Sequence, residues 1–245
     1  METHHPHHVT HKKKWTEYLL EFFMLFLAVF LGFIAENIRE HFVERDKEKQ
    51  FMSSLVRDLE LDTSALWQSN KFRLRKIKAL DSLLNFLTIQ NSGTVPLSVY
   101  NSSLRLYGGR IFYQNSGTLD QLKNSGGLRL INNRQIVDSI EAYDQQVRRM
   151  SKRDDLEVEK YEYNRNLSEK LFDAKSIIKA IGTSANAIVE SPSIIINLNY
   201  LNEYLNNLLT YKGQMLGNSM VFEASKSKAL NLIRLIKKEY HLENK

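Results

Sequence analysis

Hydrophobic residues crowd into one early block and then recur at helical spacing along most of the chain. From Phe22 to Ala35, 14 consecutive positions carry no charge and no strong polar group, and Tyr18, Leu19 and Leu20 extend the block backwards past Glu21. The 18 positions from Tyr18 to Ala35 would make a helix of about 27 Å, close to a hydrocarbon core of about 30 Å. Ten of the 14 residues are Leu, Ile, Val or Phe, each favourable by about 0.3–0.6 kcal/mol near a helix centre, so insertion gains about 3–6 kcal/mol. Trp15 and Tyr18 stand where an interfacial aromatic belt would lie. Two other readings compete, a buried core helix and a cleavable signal behind Lys12, Lys13 and Lys14. Phe33, two residues before Ala35, fits a cleavage site poorly. The pattern predicts a His/Lys-rich flexible leader over residues 1–16, a single retained transmembrane anchor over 17–38 and a helical bundle domain over 39–245.

No glycine or proline occurs between Gly32 and Gly93. Apolar residues there, among them Ile38, Phe42, Met52, Leu55, Leu59, Leu66, Ile77, Leu80, Leu84 and Leu87, are mostly three, four or seven apart, one face of an amphipathic helix. The anchor is therefore expected to continue into a long helix ending near Gln90, with Glu36 to Gln50 as a solvated stalk or a coiled-coil dimer seam. A loop at Asn91 to Pro96 precedes a short helix over Leu97 to Tyr107, closed by Gly108 and Gly109. Thr118 and Gln121 match a capping box, and Gly126 is placed to stop that helix in a left-handed conformation. A second break-free interval predicts a helix from Asn133 to Ala180, antiparallel to the first, with a polar interruption around Asp154 and Arg165. Ile194 to Ile196 has strand character but no evident partner. Leu198 to Leu242 reads as one or two helices, weak at Gly213 to Gly217. The predicted fold is all-α, an N-terminal transmembrane helix continuing into an antiparallel long-helix bundle whose far end is capped by short helices around Gly108 and Gly126.

Composition narrows the chemistry. Among 245 residues, 25% charged and 42% hydrophobic side chains exclude wholesale disorder. The absence of cysteine excludes disulfides, thiolate metal sites and a cysteine nucleophile. A net charge of +6 is too diffuse to demand nucleic acid. The densest basic stretch, Lys71 to Lys78, reads as a solvated helix face pairing with acids on a neighbour, so a nucleic-acid partner is not expected. His4, His5, His7, His8 and His11 are weak metal-site candidates, since crowded imidazoles bind zinc, nickel or copper; a leader without metal function is the plainer reading. His41 and His241 stand alone. Asp58 with Asp62, and Glu157, Glu159 and Glu162, repeat at spacings that helix surfaces carry routinely. No phosphate loop, dinucleotide fingerprint, nucleophile elbow or HExxH pattern occurs, so neither an enzyme nor a cofactor is predicted. Ser125, Gly126 and Gly127 are a candidate contact surface, weighed against a helix stop that merely turns the chain.

Three segments together carry a resemblance. They are Phe26-Leu-Ala-Val-Phe-Leu-Gly-Phe-Ile-Ala-Glu-Asn37, Gln50-Phe-Met-Ser-Ser-Leu-Val-Arg-Asp-Leu59 and Leu119-Asp-Gln-Leu-Lys-Asn-Ser-Gly-Gly-Leu-Arg-Leu-Ile131. From about Tyr18 onward the chain resembles an uncharacterised family of single-pass membrane proteins of Bacteroidota that carries only a domain of unknown function. The resemblance implies a helical domain outside the inner membrane and brings no catalytic residues. Flanking charges do not fix the orientation, with three lysines before the span and Arg39, Arg45, Lys47 and Lys49 after it. The expected function is a non-enzymatic, membrane-anchored interaction or scaffold module of the cell envelope, with a protein partner or a second copy. The alternative is a sensory or ligand-binding helical domain acting through a partner. An apolar cavity with converging polar groups would favour the alternative, and a flat apolar patch the scaffold.

Overall fold

A computed structural model describes residues 14–89, 93–183 and 193–242. The fold is all-α, and the chain divides into two compact units, residues 1–50 and 51–245. Helix α1 (Trp15–Ile89) runs through both.

In the first unit the helix carries the predicted apolar block. Its most apolar 18-residue window has a mean hydropathy of 2.3 and none of it is buried within the protein, so this helix is long and apolar enough to cross a membrane. Phe22, Phe26 and Phe30 follow one another at the i, i+4 spacing, their rings near parallel with centroids 6.4 and 6.0 Å apart.

The second unit is built on three long helices, the rest of α1, α4 (Arg134–Leu171) and α6 (Leu198–Glu239). Shorter elements connect them: β1 (Thr94–Pro96), α2 (Leu97–Leu104), α3 (Gly117–Asn124), a 3-10 turn (Gly127–Leu130), α5 (Ala174–Thr183) and β2 (Ser193–Ile195). Asparagines start both later long helices. Asn133 Oδ1 accepts from the Gln135 amide and Asn197 Oδ1 from the Asn199 amide, satisfying donors that a helix start leaves unpaired.

Helix directions differ from the sequence expectation. Asp62 pairs with Tyr143 and Arg73 with Asp154, both at a separation of 81 residues, so α1 and α4 run parallel rather than antiparallel. Helix α6 opposes both: Glu60 meets Lys237, Asp81 meets Lys212, and Arg153 of α4 meets Asn218. Parallel neighbours need a return connection, which residues 105–116 supply as an extended strap. Tyr107 bonds Ser168 of α4, and Asn115 bonds Asp62 of α1. The short helices consequently lie at two levels of the bundle. Helix α3 sits beside Asp58 and Asp62, whereas α2 joins the cluster containing Leu83 and Leu87.

Two further expectations are corrected. Ile194 does have a strand partner: β2 pairs antiparallel with β1, Val95 opposite Ile194 and both fully buried. Helix α4 ends at Leu171 rather than Ala180 although no glycine or proline interrupts it. Phe172 turns inward against Tyr100 and Tyr204, and the Asp173 carboxylate accepts from the Ser176 amide to start α5. Conversely, α6 passes Gly213 and Gly217 unbroken, held by buried Tyr211, Met215, Asn218 and Phe222.

The hydrophobic core forms two clusters along the bundle. One contains Met52, Leu59, Leu66, Ile140, Met150, Phe222 and Ile236; the other contains Ile77, Leu84, Leu167, Phe172, Tyr204 and Met215. Between them lies a layer of buried polar side chains.

A buried charge layer lines the candidate functional site

The layer arises because polar residues occupy core positions of each long helix. On α1, Asn70 and Arg73 continue the steps that run from Leu66 to Ile77 and Leu80, and all are buried. Asp154 follows Met150 on α4, and Asn218 stands between Met215 and Phe222 on α6. Arg73 is 5% exposed. Its Nη2 donates to Asp154 Oδ1 and its Nε to Glu157 Oε2, each at 2.9 Å, and its guanidinium lies 4.1 Å from the centre of the Phe222 ring. Asn218 donates to Glu157 Oε2 at 2.7 Å and accepts from Arg153 Nε at 2.9 Å. Asn70 donates to Glu223 at 2.8 Å.

A cleft of about 200 Å³ opens beside this layer. Helix α1 presents Ser69, Phe72, Arg73 and Lys76 to it, and α4 presents Asp154, Glu157, Val158 and Tyr161. Both sets follow the i, i+3, i+4, i+7 spacing of a single helix face. Tyr211 of α6 and the strap residues Gly108 to Ile111 complete the wall. Gly108 has φ +77°, a left-handed conformation that glycine adopts without the usual Cβ clash.

Burial controls the electrostatics. Loss of solvent pushes the Asp154 carboxyl up to about 6, helped by the neighbouring charge of Glu157 and opposed by Arg73. Loss of solvent lowers the Lys76 ammonium to about 8, against the attraction of Glu157 and with the repulsion of Arg73. Lys76 Nζ lies 3.4 Å from the Tyr211 hydroxyl and 5.4 Å from the centre of the Tyr161 ring, with no carboxylate within ion-pair distance among the described residues. Arg73 Nη1 is likewise buried without a hydrogen-bond partner among the described residues. The carboxylates of the layer are engaged by Arg73, whereas Lys76 remains a desolvated cation against an aromatic wall. Such an arrangement is suited to holding a small ligand by its charge.

Other residues singled out in the sequence have different places. Asp58 and Asp62 stitch the strap and α3 to α1. Asp62 accepts from the Asn115 amide and side chain and from the Tyr143 hydroxyl, and Asp58 accepts from the Thr118 amide. That last bond replaces the expected capping box, because α3 begins at Gly117, one residue before Thr118. Ser125, Gly126 and Gly127 reverse the chain. Gly126 has φ +68°, and Gly127 is buried so tightly that a Cβ there would meet Leu122 at 3.0 Å. Of these three, only Ser125 and Gly126 are exposed. Glu162 pairs with Arg165 on the surface of α4. His4, His5, His7, His8 and His11 lie outside the described residues, and among the described residues no group of His, Asp and Glu is placed to hold a metal ion. His41 and His241 are exposed.

Among the described residues, the expected pairing of Lys71 to Lys78 with acids holds for Arg73 alone. Sequence reasoning missed Arg73 and Lys76 as buried residues; the signal was Arg73's position in the apolar stripe between Leu66 and Ile77. No family model matches the chain, and neither does any curated protein or solved structure.

Proposed function

We propose that the chain is a non-enzymatic binding module anchored in the bacterial inner membrane by a single span. Residues 18–38 contact lipid, and the bundle unit lies in the periplasm. The bundle holds a small ligand in the cleft and acts through a partner protein. The unburied apolar window supports the anchor, and the resemblance to the Bacteroidota family supports the compartment.

The observation that carries ligand binding is buried Lys76. A buried ionic layer stabilises a fold less than a hydrophobic layer would, so its presence calls for another role. The pairs of Arg73 with Asp154 and Glu157 could serve to fix α1 parallel to α4. Lys76 has no carboxylate partner at ion-pair distance among the described residues and carries a desolvation penalty that its contacts with Tyr161 and Tyr211 do not offset in charge. With Asp154 and Glu157 engaged by Arg73, the wall that Phe72, Val158, Tyr161 and Tyr211 form beside Lys76 suits a small carboxylate with an apolar body. A cavity of about 150 Å³ already accepts benzene. The test is saturation-transfer NMR with benzoate on the full chain in detergent micelles. Transfer in the wild type and its loss in Val158→Trp, which fills the cleft, is expected. No transfer, or equal transfer in both proteins, contradicts the reading.

The scaffold reading draws on a separate feature. Leu209, Leu216 and Met220, spaced by seven and four, leave an exposed apolar stripe on α6, with Met220 74% exposed. Such a stripe suits a helix of a partner or a second copy.

A further inference from the structure

On the other side of Lys76 from the cleft, the outer surface of α1 meets the residues that follow α2. An open groove of about 610 Å³ there is lined by Arg75, Lys76, Lys78, Ser82, Arg105 and Tyr107 together with Phe72 and Ala79. Its lining holds four cationic side chains and no carboxylate. The nearby acids are engaged elsewhere: Asp81 pairs with Lys212 at 2.5 Å, Asp154 and Glu157 pair with Arg73, and Glu169, close to Tyr107, pairs with Arg165 at 3.7 Å. Among the described residues, Arg75, Lys78 and Arg105 have no ion-pair partner. Arg75 and Lys78 are three apart on the helix, a like-charge spacing that costs stability in isolation. Arg105, the residue that ends α2, adds to that repulsion instead of relieving it. The inner wall is firm: Lys76 is buried and Tyr107 is held through its hydroxyl by Ser168.

We infer that this groove binds a phosphate group, with Arg75, Arg105 and Lys78 as its direct ligands and Lys76 closing the inner wall. Two guanidinium forks match the oxygen geometry of phosphate, and several converging cations suit an anion carrying more than one charge. One helical turn of cations is too small a footprint for a nucleic-acid backbone, whose binding proteins neutralise many phosphates along an extended surface. The inference goes beyond the cleft reading, because Arg75, Lys78 and Arg105 do not line the cleft. Each site has its own probe, so either can fail alone.

The phosphate group belongs either to a soluble ligand or to a lipid headgroup, and one experiment separates the two. Sodium pyrophosphate is titrated calorimetrically into the full chain at low ionic strength, first in neutral detergent micelles. It is then titrated into nanodiscs of phosphatidylcholine alone and of phosphatidylcholine with phosphatidylglycerol. Saturable binding is expected in micelles, and Arg75→Gln and Arg105→Gln are each expected to weaken it by about tenfold. Both side chains are exposed, so the variants should keep the helical circular dichroism of the wild type. The control Arg129→Gln, exposed, outside the groove and matched in charge to each single groove variant, should bind as the wild type does. Weaker pyrophosphate binding in the anionic nanodiscs than in the neutral ones would identify the headgroup as occupant; equal affinity would identify a soluble ligand. The inference is overturned if pyrophosphate does not bind in micelles, if the groove variants bind it unchanged, or if the control loses as much. It is also overturned if single-stranded DNA displaces pyrophosphate while contacting cations beyond the groove, shown by equal losses of DNA affinity in the control.

Discussion

Replacing Arg73 by methionine removes the centre of the buried layer and leaves Asp154 and Glu157 without their cation. Each of its two ion pairs is 2.9 Å long, and the Arg73 and Asp154 side chains are both 6% exposed. Removing one partner of so buried a pair costs about 3–5 kcal/mol. The cost should depend on pH, because the stranded carboxylates can escape it by protonation. Asp154 is already raised to about 6 with Arg73 present, and Arg73 is what holds it down. A carboxyl whose folded pKa exceeds its unfolded value contributes stability at low pH that is lost as pH rises from the unfolded value through the folded one. For Asp154 the rise from the ordinary carboxylate value to about 6 corresponds to about 3 kcal/mol across that window, which reaches further upward once Arg73 is gone. Urea unfolding of the full chain in micelles, followed by helical circular dichroism, measures this. Arg73→Met should lose about 3–5 kcal/mol near pH 8 and markedly less near pH 5. The triple variant Arg73→Met, Asp154→Leu, Glu157→Leu should recover wild-type stability or exceed it. A loss under about 1 kcal/mol near pH 8, or one independent of pH, would refute the reasoning.

Three other perturbations test separate parts of the fold. Lys76→Met should raise the midpoint of thermal unfolding near neutral pH. With its ammonium lowered to about 8, Lys76 reduces stability below that value and regains it as pH rises toward the unfolded pKa, so the gain should vanish in strong alkali. Asp62→Ala should cost about 2–4 kcal/mol in urea unfolding, since it orphans the buried Tyr143 hydroxyl and frees Asn115; a neutral effect would contradict its role as a staple. Phe172→Ala should cost about 3–5 kcal/mol and speed amide exchange in the two-stranded sheet, because Phe172 packs on Tyr100 and Tyr204 and bridges to Ile196; unchanged exchange would contradict it.

What the sequence reveals about this fold follows from where the causes lie. The long apolar start of α1, the length of that helix, the stop at Gly126 and the start at Asn133 rest on local chemistry, and all are legible as residues in order. The direction of α4 is not, because periodicity reports which face of a helix is apolar and says nothing about which neighbour it meets. That direction depends on the strap over residues 105–116, an extended segment of the kind that carries no helical signal. The pairing of Val95 with Ile194 is similarly hidden, since three-residue strands are too short for alternation to register. The break at Phe172 is tertiary: an aromatic drawn into the core and an aspartate ready to cap override a sequence that would otherwise continue as helix. Arg73 shows the remaining limit. It occupies a core position of the stripe, yet a charged residue there reads as a solvated one until its partners, 81 and 84 residues away, are in place.

Alkaline phosphatase, active only after export, fused after Lys245 and assayed in a Gram-negative host tests the central claim of an anchored, exported binding unit most directly. High activity in the membrane fraction is the predicted result. A stable fusion that is inactive, or active only as a soluble species freed of residues 17–38, would contradict it.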